Sequence, residues 1–384
     1  MKVLFFNYEY PPLGGGAANA TFCILREFSK ITDLEVDLIT SSINEKYSVE
    51  KIGGNITIYK VPIGKNSNNL HFQSQKDLIV YAWRALILAN KLIKKNKYDL
   101  THSFFTVPCG AISLWFKLTK KIPFVISLRG SDVPGYSERF KFIYTILKPL
   151  IKLIWKKSSA VVSNSRGLRD LALKTNKQQK VDIIFNGIDL NDFCPNESLR
   201  ARDKFIITIG ATRITARKGT NYLIEALGIL APKYPDILLR ILGDGDEKNN
   251  LIDLTKKMNL ENFVQFLGRI PREETVSYYQ EASLFVLPSL NEGMSNAMLE
   301  ALASGLPILA TETGGTEELV ENGINGFVIK MKDSKDLAEK IEMILKDEVL
   351  RNSMGKASRR KAETMSWENV AQEYFELYKE ITES

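Results

Sequence analysis

The stretch Asn291-Glu292-Gly293-Met294-Ser295-Asn296-Ala297-Met298-Leu299-Glu300-Ala301-Leu302-Ala303-Ser304-Gly305-Leu306-Pro307 sits between two apolar runs of strand length, Ser283 to Ser289 and Ile308 to Thr311. Between those runs the residues predict one short helix. Ser295 or Asn296 can cap its start, Gly305 can supply a left-handed residue at its end, and Pro307 forbids continuation. Strand, loop, helix, strand is one unit of a parallel sheet, which points to an α/β fold.

The chemistry of this unit lies in two carboxylates. Glu300 falls inside the helix, and Glu292 lies eight residues earlier in the loop above the strand's carboxyl end, the edge where open parallel sheets bind ligands. The N–H groups of Gly293, Met294, Ser295, Asn296 and Ala297 are the unpaired donors of a helix N-terminus and suit a phosphate. A carboxylate beside a phosphate repels it unless the carboxylate serves hydroxyls, and sugars and ribose supply hydroxyls that donate to it. One loop could thus hold a diphosphate on its amides and hydroxyls on its acids, which describes a nucleotide-sugar. The same spacing also fits two solvated glutamates on a surface helix.

Glu292 to Glu300, followed by Ala301 to Ile308 and then Gly314-Gly315-Thr316-Glu317-Glu318, resembles the signature block of glycosyltransferase family 4. The resemblance implies a retaining, nucleotide-sugar-dependent enzyme of the GT-B fold: two Rossmann-like, doubly wound α/β domains facing a cleft. The boundaries expected on this reading are an acceptor-side domain over 1–190, a linker over 191–203 and a nucleotide-sugar-binding domain over 204–366. A last helix, within 367–384, crosses back to the first domain.

Composition limits the alternatives. The chain of 384 residues is long enough for two domains. Its start, Lys2 to Phe6, reads as a strand and not as a secretory signal, and no apolar run reaches membrane-span length. Cys23, Cys109 and Cys194 are far apart and odd in number, which fits neither a metal site nor a disulfide framework and agrees with a reducing cytoplasm. With His71 and His102 as the only histidines, a histidine-based metal site or triad is not expected. A net charge of +7 calls for an anionic partner: donor phosphates, an acidic membrane surface or nucleic acid.

In the first half, a strand over residues 2–7 runs into a loop whose Gly14, Gly15 and Gly16 open a helix from Ala17 to Lys30. Glycines there let a ligand approach the backbone, and a plain tight turn is the alternative. The spacing fails the dinucleotide fingerprint because Asn19 stands where its third glycine belongs. The resemblance implies that this loop reaches the donor phosphate through Gly15 and Gly16. Strands are expected at Glu35 to Thr40, Ile56 to Pro62, Asp99 to Ser103, Ile122 to Leu128, Ala160 to Ser163 and Val181 to Phe185, with a helix over Asp77 to Lys95. Arg129 stands where family members commonly carry a histidine directed at the donor sugar. Arginine cannot act as a base at neutral pH, so a hydrogen bond or charge contact is its expected role. Asp132 reads either as a hydroxyl ligand or as a helix N-cap, and His102 as a structural residue. Residues 139–157 place Lys141, Lys148, Lys152 and Lys156 on one helical face against a broad apolar arc. Pro149 is expected to kink or break that helix. The segment reads as a core helix with solvated lysines, or as one lying in a membrane interface.

In the second half, the strand Phe205 to Ile209 leads into Gly210, Arg213 and Lys218. The resemblance implies that the arginine and the lysine clasp the donor diphosphate, and fixed cations there lower the barrier to breaking the glycosidic bond. Gly243 closes the next strand. Gly268, Arg269 and Ile270 close another, where the family seats the nucleotide base. The catalytic set read from the sequence is Glu292, Arg213 and Lys218. The donor set adds Gly15, Gly16, Arg129, Asp132, Gly210, Gly293, Met294, Ser295, Asn296, Ala297 and Glu300, and the base set is Gly243, Arg269 and Ile270. No metal and no cofactor are expected, the nucleotide-sugar (UDP- or GDP-linked) being a substrate. The expected partners are that donor, a glycan or lipid-linked acceptor and an anionic membrane surface, without nucleic acid. The competing readings are an inactive nucleotide-sugar-binding subunit and a nicotinamide-dependent oxidoreductase, whose fingerprint both glycine runs fail.

Overall fold

Apolar runs of four to nine residues alternate with amphipathic helices, and each run becomes a strand buried by the helices beside it. The computed structural model describes residues 1–384 apart from 66–69, 71–72, 137–140, 202 and 384, and the side chains of Lys141, Phe142, Ala211 and Thr212 are likewise outside the description. His71 and the first two residues of the 139–157 segment therefore lie outside the described residues. The chain divides into two compact units, one of Met1–Asn186 with Trp367–Ser384 and one of Gly187–Ser366.

The strands of the first unit are β1 (Lys2–Phe6), β2 (Glu35–Ser42), β3 (Ser48–Ile52), β4 (Ile56–Pro62), β5 (Leu100–Phe104), β6 (Phe124–Leu128), β7 (Ala160–Ser163) and β8 (Asp182–Ile183). Its helices are α1 (Gly16–Phe28), α2 (Gln75–Lys95), α3 (Ala111–Lys120), α4 (Lys141–Lys157) and α5 (Arg166–Thr175). The sheet order is β3-β4-β2-β1-β5-β6-β7-β8, parallel except for the β3–β4 pair. From β1 the chain winds one way to β2, and from β4 it returns past β1 to β5. The switch point therefore falls between β1 and β5, where ligands of such sheets bind.

The strands of the second unit are β9 (Phe205–Arg213), β10 (Ile237–Asp244), β11 (Val264–Gly268), β12 (Leu284–Leu287), β13 (Ile308–Thr311) and β14 (Gly326–Ile329). Its helices are α6 (Thr220–Leu230), α7 (Lys248–Lys257), α8 (Arg272–Glu281), α9 (Asn296–Ala303), α10 (Thr316–Leu319), α11 (Ser334–Lys346) and α12 (Glu348–Glu363). The order β11-β10-β9-β12-β13-β14, with every pair parallel, puts the switch point between β9 and β12. The loops carrying Lys218 and Glu292 leave those two strands.

The final helix, α13 (Trp367–Glu383), packs its Trp367, Val370, Ala371, Tyr374, Phe375 and Tyr378 into the core of the first unit beside Phe5, Phe28 and Phe104. The second unit has its own core, with Ile207, Ile209, Leu239, Ile241 and Val286 from the sheet against Leu223, Leu227 and Ile341. Fully burying one such side chain contributes about 1.5–3 kcal/mol.

Three local expectations change. α4 runs through Pro149, which is exposed, so of the kink or break expected there the break does not occur. β3 was not legible because three of its five residues are exposed and it shows no apolar alternation. α2 begins before Asp77: Ser74 accepts from the Asp77 N–H while Asp77 accepts from the Ser74 N–H, a capping box that places the start at Gln75.

Candidate active site

In the second unit, β9 is followed by a turn that ends at Gly219, whose φ of +63° is in the left-handed region. A Cβ at Gly219 would lie 2.1 Å from the Pro288 carbonyl oxygen, so only glycine lets this turn close onto the end of β12. The Leu290 N–H donates to the Arg217 carbonyl at 2.7 Å and fastens the two loops. Across that junction Lys218 Nζ meets Glu292 Oε2 at 2.6 Å, with side-chain exposures of 13% and 12%. Ser289 Oγ donates to the same oxygen at 3.4 Å.

Arg213 is placed differently. Its side chain is 54% exposed and pairs with the still more exposed Asp246 at 3.3 Å. An exposed pair of this kind contributes little stability, so the guanidinium is free to exchange partners. Met294 is buried, and the Ser295 hydroxyl caps α9 by accepting from the Met298 N–H. Asn296 and Ala297 form the first turn of α9. Gly315, in the next loop, packs so closely that a Cβ there would lie 2.4 Å from the Gly293 carbonyl oxygen. Glu300, one turn into α9, accepts from Tyr279 OH at 3.0 Å and from Arg272 Nε at 3.4 Å. Burial pushes its carboxyl above the ordinary range, while the Arg272 charge and these two bonds pull it back. Gly243, the last residue but one of β10, has φ +131°, and Arg269, exposed, and Ile270 follow β11 at the neighbouring strand end.

In the first unit, Gly15 opens α1, and its N–H donates to Glu9 Oε2 at 3.3 Å, just ahead of Gly16. Sequence reasoning missed Glu9. Burial raises its carboxyl to about 7 against the pull of the Gly15 N–H and Lys65. The only sequence signal was an acid in the loop between the first strand and the glycines.

The two terminal nitrogens of Arg129 are engaged within the first unit. Its NH1 donates to Asn186 Oδ1 at 3.0 Å, its NH2 donates to Tyr374 OH at 3.0 Å, and the guanidinium lies 3.5 Å from the Phe104 ring centroid. Asp132 is turned inward. It accepts from the Arg129 N–H at 2.9 Å on Oδ1, and from the Thr106 N–H at 2.8 Å and Thr106 Oγ1 at 3.0 Å on Oδ2. His102 is buried, with Nδ1 2.5 Å from Tyr378 OH and Nε2 2.7 Å from Ser127 Oγ, the structural role expected of it. Burial first, and the nearby Arg129 second, hold it neutral.

Two family profiles cover nearly all of this chain, "Glycosyltransferase Family 4" over residues 14–192 and "Glycosyl transferases group 1" over residues 195–361. The chain belongs to glycosyltransferase family 4. Among similar proteins is an uncharacterised glycosyltransferase of Methanocaldococcus jannaschii, 26% identical over all of this chain and 99% of the relative. The fold is similar to that of sucrose-phosphate synthase from Thermosynechococcus elongatus, with TM-score 0.85 and 21% identity over 99% of both chains. It is also similar to that of the Anabaena protein HepE, determined with UDP-glucose, with TM-score 0.74 and 20% identity over 99% of this chain and 100% of that one. The protein is thus a nucleotide-sugar glycosyltransferase with the two parallel-sheet, Rossmann-like domains of the GT-B fold. The oxidoreductase reading falls away.

Proposed function

We propose that this glycosyltransferase moves a sugar, with retention of anomeric configuration, from a UDP- or GDP-linked donor to a hydroxyl of a lipid-linked or surface-polysaccharide precursor. The observation that carries the donor half is the Lys218–Glu292 pair at the switch point of the second sheet. An entering diphosphate competes with Glu292 for the Lys218 ammonium, and the released carboxylate accepts from sugar hydroxyls. Arg213, whose partner Asp246 is exposed, turns to the same diphosphate. The two cations then stabilise the charge that grows on the leaving nucleotide as the glycosidic bond breaks. The leaving phosphate takes the acceptor hydroxyl's proton while that hydroxyl attacks from the same face. The UDP-glucose held by the HepE structure supports a UDP-linked donor. Thermal-shift screening against UDP-, GDP- and ADP-sugars tests this, because a ligand of the folded state raises its melting point. A shift with a UDP- or GDP-sugar, followed by turnover, is expected. No shift with any of them would sink the reading.

The acceptor half rests on one surface of the first unit. Lys148, Lys152 and Lys156 of α4 are exposed, and on the same solvent-facing arc Ile146 is 64% and Leu153 43% exposed. The neighbouring α3 exposes Trp115 at 51% and Leu118 at 62% beside Lys120. Lysines among exposed apolar and aromatic side chains suit an anionic lipid interface. No helix among the described residues is long and apolar enough to cross a membrane, so attachment would be peripheral. The enzyme then works at the cytoplasmic face. Binding to anionic liposomes that falls with added salt, and falls further when the three lysines become glutamine, is the expected result. No binding at low salt would remove the ground for a lipid acceptor.

A further inference from the structure

The C-terminal half of β9 holds a contact that donor recognition alone does not explain. A Cβ built on Gly210 would lie 2.4 Å from the hydroxyl of Tyr279, so the phenol occupies the place a side chain would take. Tyr279 is 2% exposed, and its ring is held between Phe193, centroid at 5.8 Å, and Phe285, centroid at 6.0 Å. A buried phenol needs a polar partner, and this one donates to Glu300 Oε2 at 3.0 Å.

We propose that Tyr279 is a positioning residue for donor binding: its phenol, admitted by the missing side chain of Gly210, fixes the Glu300 carboxylate in the orientation that receives the vicinal diol of the donor's ribose. Gly210 is then glycine because the phenol must pass, not because the ligand must reach its backbone. The inference rests on the reading of Glu300 as a diol-binding group.

The charged groups facing Glu300 come from α8 and the segment before β9. Arg272 donates to the other carboxylate oxygen at 3.4 Å and is itself 3.9 Å from Asp192. With a partner on each oxygen, the carboxylate cannot rotate freely, and each oxygen keeps a lone pair for a further donor. Removing the Tyr279 hydroxyl frees one oxygen and weakens the charged form, so the acid limb of nucleotide binding moves to higher pH.

The experiment is calorimetric titration of UDP, with GDP alongside, into Tyr279→Phe, Glu300→Gln, Gly210→Ala and the Gly210→Ala/Tyr279→Phe double variant, with melting points recorded for each. Tyr279→Phe is expected to fold, to weaken the nucleotide about ten-fold, to move the acid limb upward, and to raise KM for the donor more than it lowers kcat. Gly210→Ala is expected to lose both stability and binding, because its methyl meets the phenol. When Gly210→Ala is made on top of Tyr279→Phe, that loss should largely disappear, since the obstructing oxygen is gone. Additive losses, or wild-type binding in Tyr279→Phe while Glu300→Gln binds weakly, would overturn the positioning role alone. Wild-type affinity in Glu300→Gln would instead overturn the diol reading beneath it.

Discussion

Lys218 and Glu292 meet at 2.6 Å with both side chains largely shielded, so each charge depends on the other until a ligand enters. Replacing Lys218 with alanine should lower kcat about 100-fold for every donor sugar, since the diphosphate is common to all and a lost charge-stabilising donor costs this much. Arg213→Ala should act in the same sugar-independent way, and a loss that varied with the sugar would contradict both roles. Glu292→Ala leaves a shielded ammonium unpaired, so melting should show a loss of about 1–3 kcal/mol besides the kinetic defect. Glu9 offers a pH test. Burial raises its carboxyl from the ordinary 4.5 to about 7. Across that window the folded chain keeps a proton that the unfolded chain has released, so this group's share of stability falls as pH rises. Glu9→Gln removes the fall. Its melting point should gain on the wild type between pH 5 and pH 8, and parallel curves would contradict the shift. These pairings were not legible in the sequence: Glu292, Arg213 and Lys218 were named from motif positions, but Lys218 and Glu292 stand 74 residues apart and only the closed loops bring them together. That Thr106, 26 residues away, donates to the Asp132 carboxylate was equally hidden, because nothing local announces it.

At the scale of elements, apolar runs and caps carried most of the information. The α9 unit was readable because its cap, its left-handed Gly305 and the flanking strands all agree. What sequence could not supply was how loops close on each other. Gly219 looked like a turn residue after Lys218, yet its importance lies in the Pro288 carbonyl 2.1 Å from where its Cβ would be. Gly219→Ala therefore faces two penalties. A left-handed backbone costs roughly 1–2 kcal/mol for a residue with a Cβ, and the loop must also back away from β12. Backing away separates Lys218 from Glu292, so activity should fall by more than the lost stability alone predicts at a temperature where the variant is still folded. Melting and kcat/KM measured together check this. A variant that is destabilised yet fully active when folded would show that the junction serves packing only.

On the scale of the whole chain, alternation of strands and helices made the two α/β sheets legible, while the polar network that α13 completes was hidden. Tyr374 lies 245 residues from Arg129 and Tyr378 lies 276 from His102, beyond any pattern a local reading can use. Within the first unit these two tyrosines reach His102 in the middle of β5, Ser127 near the end of β6 and Arg129 just after it, and Trp367, Val370, Ala371 and Phe375 fill the core around them. Truncating one buried aromatic costs about 3–5 kcal/mol, and a whole domain is stable by only about 5–15 kcal/mol. A chain ending at Ser366 loses four such aromatics together and leaves His102 without a partner on one ring nitrogen. Its first unit should therefore not fold, whereas the second unit keeps a core made wholly of its own residues. Hydrogen exchange separates the two: amides of β1, β5 and β6 should lose protection in the truncated chain while those of β9, β10 and β12 keep it. Tyr374→Phe is the milder companion, expected to fold with a lower melting point because Arg129 and Ser127 each lose a partner. Full protection of β5 and β6 after truncation would mean that the first core closes without its last helix.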